Sequence, residues 1–486
     1  MDAAVFDDCE ITGVTCDSRQ VHPGYLFAAI PGTQTDGRRF IPDALGRGAV
    51  AVLAPPGTCL DPPAPPVPPV PLIIDDNPRR QYALMAARFF AAQPRTVACV
   101  TGTNGKTSVV SFLRQIWGQL NIPCASAGTL GVDLAGFAGR AVPELSHAIN
   151  LTTPDPADLH RSLAELAGHG IDHLGLEASS HGLAQYRLDG VRVTAAAFTN
   201  LTRDHLDYHH DMDGYLEAKR RLFSDIVGED GTAVVNADDP YGDAILKIAR
   251  DRGLNVLTYG AAAKDIVLLG QTAEGSGQVL DVEVLGHRQQ VKLSLPGAFQ
   301  GSNALAALGL AVAIGAPANA ALAALANLSG VPGRLQPVGE LPNGASIYVD
   351  YAHTPDALSS VLHTLRPHTA GRLAVVFGCG GDRDAGKRPE MGAVAAVVAD
   401  RIIVTDDNPR TENPAAIRAE ILAACLDATE IGDRADAIEA AIAGLAAGDV
   451  LVVAGKGHET GQIVGDETHL FDDAAVIRGL LERLTS

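Results

Sequence analysis

The chain reads as a multidomain α/β protein built on parallel sheets, and three observations predict it. At 486 residues it exceeds one ordinary core, so about two to four domains are expected. Hydrophobic residues make up 47% of it, enough to fill several cores. From Thr96 onward, apolar runs give way to polar, Gly-rich loops and then to Ala-rich helical stretches, the alternation of strands and crossover helices in a parallel sheet.

Texture divides the chain into three segments. Residues 1–93 carry short apolar strands and turns, and the proline-rich stretch 62–69 reads as a stiff surface loop. Residues 94–328 form the first alternating segment. Ser329-Gly330-Val331-Pro332-Gly333 then punctuates the sequence, and a second alternating segment completes residues 329–486. The junctions near Gln93-Pro94 and at residues 330–333 are where ligands are expected to close the domains on one another. The longest apolar run, residues 304–316, is rich in Ala and Gly and too short to cross a bilayer; it reads as a buried helix.

A formal net charge of −20 argues against nucleic acid or an anionic membrane surface as a partner. Small anionic substrates are still allowed, because local arginines and backbone amides hold them. The seven cysteines (positions 9, 16, 59, 99, 124, 379 and 425) show no CxxC spacing and fit reduced thiols. The N-terminus is acidic, without a signal-peptide pattern, so a soluble cytoplasmic protein is expected.

Apolar runs end in polar clusters at residues 97–100, 173–176 and 195–198, and again at 347–349, 373–377, 402–404 and 450–453. Ligands of parallel sheets sit beyond the carboxyl ends of strands, so both sheets are expected to present loops to a shared cleft. The strongest motif is Thr101-Gly102-Thr103-Asn104-Gly105-Lys106-Thr107-Ser108, between an apolar strand and the helical run 109–120. Its glycines let the backbone wrap phosphate, Lys106 neutralises the outer phosphates of ATP, and the Thr107 hydroxyl suits Mg²⁺. Val100 stands where such loops usually place a further glycine. Glu177 at a later strand end is positioned for the same Mg²⁺, and His205 stands out in the polar run Asn200-Leu201-Thr202-Arg203-Asp204-His205-Leu206-Asp207-Tyr208-His209. Lys219, by itself, reads as a solvated helix charge.

Four stretches together resemble the Mur ligases: the phosphate loop, Glu177-Ala178-Ser179-Ser180-His181-Gly182-Leu183, residues 200–209, and Asp350-Tyr351-Ala352-His353-Thr354-Pro355-Asp356. The resemblance spans nearly the whole chain in one order. It implies three domains: an N-terminal one for a UDP moiety (1–93), a central P-loop ATPase domain (94–328) and a Rossmann-like C-terminal one for an incoming amino acid (329–486). It further implies a monomeric, cytoplasmic ATP- and Mg²⁺-dependent amide-bond-forming ligase of peptidoglycan precursor synthesis. Ser18 and the turn Thr33-Gln34-Thr35 then match uridine-nucleotide contacts. Thr152, Thr153, Ser179, Gln185 and Arg187 match contacts to the muramoyl-dipeptide. Lys219 matches a lysine carried as a carbamate, which would join Thr107, Glu177 and His205 around Mg²⁺. Asn303, Arg334 and Asp350 match ATP contacts. Leu151, Gln300 and Gln336 depart from residues common at those places.

The amino acid implied is meso-diaminopimelate, whose free end carries a carboxylate and an ammonium. Arg383 and Arg410 supply cations and Glu459 an anion, with Asp407, Asn408, Pro409 and Gly455 completing the loops. Asp407-Asn408-Pro409-Arg410 resembles the signature of the diaminopimelate-adding members, and lysine-adding members usually lack that arginine. The alternatives are an L-lysine-adding ligase, a folylpolyglutamate synthase, and a nucleotide-binding switch without ligase chemistry.

Overall fold

The computed structural model describes residues 10–32, 35–60, 70–137, 142–145, 152–274 and 277–485. Thr33, Gln34, Leu151, Cys9 and the proline stretch 62–69 lie outside the described residues. Among the described residues no helix is long and apolar enough to cross a membrane.

Three sheets follow one another along the chain. A four-stranded parallel sheet takes Gly13–Thr15, Tyr25–Ala28, Ala51–Ala54 and Leu72–Ile74 in sequence order. Ten strands build the central sheet. Its parallel heart runs Asn255–Gly260, Val227–Asn236, Val193–Phe198, Thr96–Thr101, His173–Glu177 and Cys124–Gly128. The third sheet places Ser346–Asp350, Val450–Ala454, Leu373–Phe377, Arg401–Val404 and Thr429–Glu430 side by side in parallel.

Alternation without helices was not anticipated at the margins. Gly131–Ala135 pairs antiparallel at one edge of the central sheet. At the other edge Ile266–Glu274, Gly277–Val284 and His287–Leu293 form an antiparallel meander, and Gly461–Val464 with Glu467–Leu470 makes a separate hairpin. The parallel sheets expected from the alternation form the heart of both segments, and these antiparallel strands are added at their margins. Val279, Asp281 and Glu283 alternate with buried Leu280, Val282 and Val284, the period of a strand covered on one face.

Four helices start alike, with a capping side chain followed by proline: Asn77 before Pro78–Phe90, Asp155 before Pro156–Gly168, Thr354 before Pro355–Leu365 and Asn413 before Pro414–Leu422. The cap accepts an otherwise orphaned N–H, and proline has none to orphan. Both faces of the central sheet are covered. Lys106–Gln119 and Ala298–Ala313 bury Phe112, Trp117, Leu305 and Leu308 on one side, and Leu159, Leu163, Phe223 and Ile245 fill the other. The apolar run at 304–316 thus lies largely within a buried helix, as expected.

Candidate active site

Where Thr96–Thr101 ends, the chain turns through the phosphate loop into Lys106–Gln119. Gly105 caps that helix at φ 89°, and a Cβ there would stand 2.4 Å from Asn303 Oδ1. Only glycine combines that backbone with that closeness. Asn200 Oδ1 accepts from the Asn104 amide at 2.9 Å, and the Thr199 hydroxyl donates to the Asn104 carbonyl at 2.6 Å, so the neighbouring strand end fixes the loop. Ser108 is buried in the first helical turn, and Thr103 donates to the Thr202 carbonyl at 3.2 Å.

Thr107 donates to Glu177 Oε2 at 3.1 Å. The same carboxylate takes the Thr129 amide at 2.8 Å and its hydroxyl at 3.2 Å. Thr129 was not anticipated; it follows the strand Cys124–Gly128, and only the sheet order brings it to Glu177. A buried hydroxyl and carboxylate in contact are the hard oxygen donors a Mg²⁺ ion takes.

Lys219 is 1% exposed, which corrects its reading as a solvated charge. Its ammonium donates to the Gly102 carbonyl at 2.8 Å and lies 4.3 Å from the Tyr215 ring centroid, one helical turn earlier. Burial, reinforced by the charge of Lys106, holds its pKa well below the lysine range. Lys106 is lowered by burial too, and donates to Gly102 and Thr103 carbonyls. His205 sits at φ 54°, outside ordinary helix or strand, with Nε2 3.4 Å from Asp204. Burial depresses its pKa, keeping the neutral imidazole a metal ion needs. Thr107, Glu177, His205 and Lys219 all line one cavity of about 430 Å³. Among the described residues no three His, Cys, Asp or Glu side chains cluster as metal ligands.

The third sheet closes the same cavity. Arg334 Nη2 donates to the Thr107 hydroxyl at 3.2 Å, and its guanidinium carbon stands 4.5 Å from the Tyr351 ring centroid. Asp350 accepts from the amides of Leu335 at 2.5 Å and Ala352 at 2.7 Å, and burial lifts its pKa to about 6. Asn303 donates to Gln300, which donates onward to the Arg334 carbonyl. The shared cleft expected from the strand ends is present: Asn303, Arg334, Asp350, Tyr351 and His353 line it together with the phosphate loop.

Beside the cavity runs a hydrogen-bonded group. Thr153 donates to the Glu177 carbonyl at 3.1 Å and accepts from Ser179, Arg187 donates to the Thr153 carbonyl at 2.7 Å and to Gln185, and Thr152 meets Thr129 at 2.9 Å. Thr152 and Ser179 reach the cavity wall. Ser18 is buried near Asp43, in the first sheet's loops, and the Thr35 carbonyl accepts from Gly32.

The loops that carry Arg383, Arg410 and Glu459 follow the strands Leu373–Phe377, Arg401–Val404 and Val450–Ala454. Arg410, at φ 50°, donates to the Gly381 carbonyl at 2.8 Å, and burial followed by the charge of Arg383 lowers its pKa. A Cβ on Gly380 would lie 2.8 Å from Arg410 Nη1 and 3.9 Å from Arg383 Cγ, so the two arginines flank one glycine. Gly380 thus leaves room for the Arg410 guanidinium and the Arg383 stem, and the charge of Arg383 bears on Arg410. Gly455, at φ 114°, leaves 2.5 Å between a would-be Cβ and Asp407, whose carboxyl is pushed up by burial. Asn408 donates to Glu459 at 2.9 Å, and the Pro409 carbonyl lies against Gly381. Lys456 and Arg434, buried beneath these loops, were not singled out from the sequence.

Three family models match the chain in order: one described as Mur ligase family, catalytic domain (residues 10–89), Mur ligase middle domain (100–311) and Mur ligase, glutamate ligase domain (333–457). A Bradyrhizobium diazoefficiens protein named UDP-N-acetylmuramoyl-L-alanyl-D-glutamate--2,6-diaminopimelate ligase is 52% identical over 97% of this chain and 95% of its own length. A Caulobacter vibrioides protein of the same name is 51% identical over 98% of this chain and 96% of its own. A solved structure of a ligase so named superposes with a TM-score of 0.68 at 33% identity, covering 98% and 96% of the two chains. The MurF ligase of Thermotoga maritima, solved in complex with ADP, shares the fold at a TM-score of 0.62 and 20% identity, over 97% and 96%.

Proposed function

The chain belongs to the Mur ligase family, and on that premise we propose that it joins meso-diaminopimelate to UDP-N-acetylmuramoyl-L-alanyl-D-glutamate at the expense of ATP. The observation that carries the choice of amino acid is the pair Arg383 and Arg410 about Gly380, beside Asp407, Asn408 and Glu459. It offers cations for a distal carboxylate and an anion for the ammonium next to it. The enzyme works as a cytoplasmic monomer, with residues 1–93 for the UDP moiety, 94–328 for ATP and 329–486 for the amino acid.

Residues set the course of the reaction. The γ-carboxylate of the D-glutamyl end attacks the γ-phosphorus of ATP; the bond to ADP breaks and an acyl phosphate forms. The amine of diaminopimelate then attacks the acyl carbon, and the tetrahedral intermediate expels phosphate. Lys106 and the amides of residues 102–108 hold the phosphates, and Asn303, Arg334 and Asp350 add further contacts to ATP. Mg²⁺, held by Thr107, Glu177, His205 and the carbamate of Lys219, would supply positive charge to the transferring phosphoryl oxygens. Thr152, Thr153, Ser179, Gln185 and Arg187 orient the dipeptide, while Ser18, Thr33, Gln34 and Thr35 grip the uridine nucleotide.

Phosphate release with ATP and the UDP-linked dipeptide, run with meso-diaminopimelate or L-lysine, tests this reading. Diaminopimelate should be used by far the better. Comparable use of lysine points to the lysine-adding ligase, and release indifferent to any amino acid points to a nucleotide switch.

A further inference from the structure

Lysine is rarely buried without a partner, because its ammonium is strongly hydrated. Lys456 is 0% exposed, inside the loop that carries Gly455 and Glu459. Its ammonium donates to Asn408 Oδ1 at 3.1 Å and to Glu459 Oε2 at 3.2 Å. Asn408 therefore has no freedom to flip. The Ile463 amide donates to its Oδ1 at 3.0 Å, which fixes the oxygen on that side and leaves Nδ2 to donate to Glu459 Oε2 at 2.9 Å.

Two donors thus converge on one oxygen of Glu459. The remaining oxygen keeps its capacity to accept from outside. The supporting frame is rigid: Arg434 and Asp473, both 0% exposed, pair through two bonds at 2.7 and 2.8 Å, and Arg434 also donates to the Ala454 carbonyl at the root of the loop. Asp407 supplies a second buried carboxyl near Lys456, so the lysine and an incoming ammonium need not share one anion.

We propose that Lys456 is a positioning residue that aims Glu459 at the distal ammonium of the incoming amino acid. The proposal rests on the reading of the chain as a diaminopimelate ligase. Lys456 does not touch the reacting atoms; it acts through Glu459. Arg410 recognises the distal carboxylate, so losing Lys456 weakens affinity for the diamino acid and leaves ATP and the UDP substrate alone.

The test is steady-state phosphate release by the full-length enzyme with each substrate varied in turn. Lys456→Met should raise KM for diaminopimelate about 10- to 100-fold with little change in kcat, as for a misaimed contact. KM for ATP and for the UDP substrate should stay near wild type. The pair Glu459→Gln and Lys456→Met/Glu459→Gln separates positioning from folding, because the double variant removes both members of the Lys456–Glu459 ion pair together. Both should show the same KM for diaminopimelate. A double variant clearly worse than Glu459→Gln, or a rise in all three KM values together, overturns the proposal. Wild-type enzyme indifferent to diaminopimelate overturns the functional reading instead.

Discussion

Lys106 and Lys219 donate to the same oxygen, the carbonyl of Gly102, at 3.0 and 2.8 Å. Two ammonium groups so close in a buried site raise each other's cost, and the cheaper outcome is for one to shed its proton. Lys219 is the one held well below the lysine range, by burial first and then by Lys106. A neutral amine can attack carbon dioxide, forming an N–C bond and releasing a proton, and the product is a carboxylate-like ligand.

Lys219→Ala should therefore lose at least about 10²-fold in kcat. Acetate or formate, offered at high concentration, should restore part of it. Near-normal turnover in the alanine variant removes Lys219 from the reaction.

The same lysine sets a pH dependence of stability. In the unfolded chain it titrates near 10.5, and in the fold well below, so between those values the unfolded state holds the extra proton. Stability from this group climbs as pH rises through that window, and the burial cost is fully present below it. In carbon-dioxide-free buffer, Lys219→Met should stabilise the protein near pH 6 by about 1–3 kcal/mol. Urea melts should show that advantage shrinking toward pH 10; a constant difference would contradict the assignment.

Gly105→Ala forces a side chain onto φ 89° and against Asn303. About 1–3 kcal/mol of stability should be lost, read by chemical denaturation. KM for ATP should rise far more than KM for diaminopimelate, since the strain sits in the phosphate loop. Equal rises would mean that the damage spreads through the fold.

Arg410→Ala should cost diaminopimelate on the order of 2–4 kcal/mol in kcat/KM, as for a buried charge partner removed. ATP and the UDP substrate should hardly notice. If Arg410 only anchors its loop through the Gly381 carbonyl, all three substrates will suffer alike.

Local signals were the legible ones. The phosphate loop is a strand, a turn and a helix in one stretch of sequence, and strand ends reveal themselves where apolar runs stop. The cavity's partners from far along the chain were named through resemblance, and Arg334 reaching Thr107 across 227 positions has no local trace. Tyr215 under Lys219, Thr129 on Glu177 and Lys456 under Asn408 went unnoticed because each role is created by tertiary packing. Lys219 itself was legible only by resemblance, since a lysine in Glu217-Ala218-Lys219 carries the texture of a wet helix face.

The antiparallel meander at the margin of the central sheet bears on how the chain behaves in a crowd. Its outermost strand, His287–Leu293, pairs on one side only, with Gly277–Val284. A bare strand edge is a template on which a second molecule can lay its own backbone. Here the edge opens with His287, Arg288, Gln289 and Gln290, all exposed, and Arg288 and Lys292 form ion pairs with Asp281 and Glu274 of the strands behind. Another strand arriving there would have to displace charged side chains and strip their water before forming its first ladder bond. The meander thus discourages fibrillation at the margin of a sheet whose inner strands Thr96–Thr101 and Val193–Phe198, rich in Val and Ala and without a charge, would invite it.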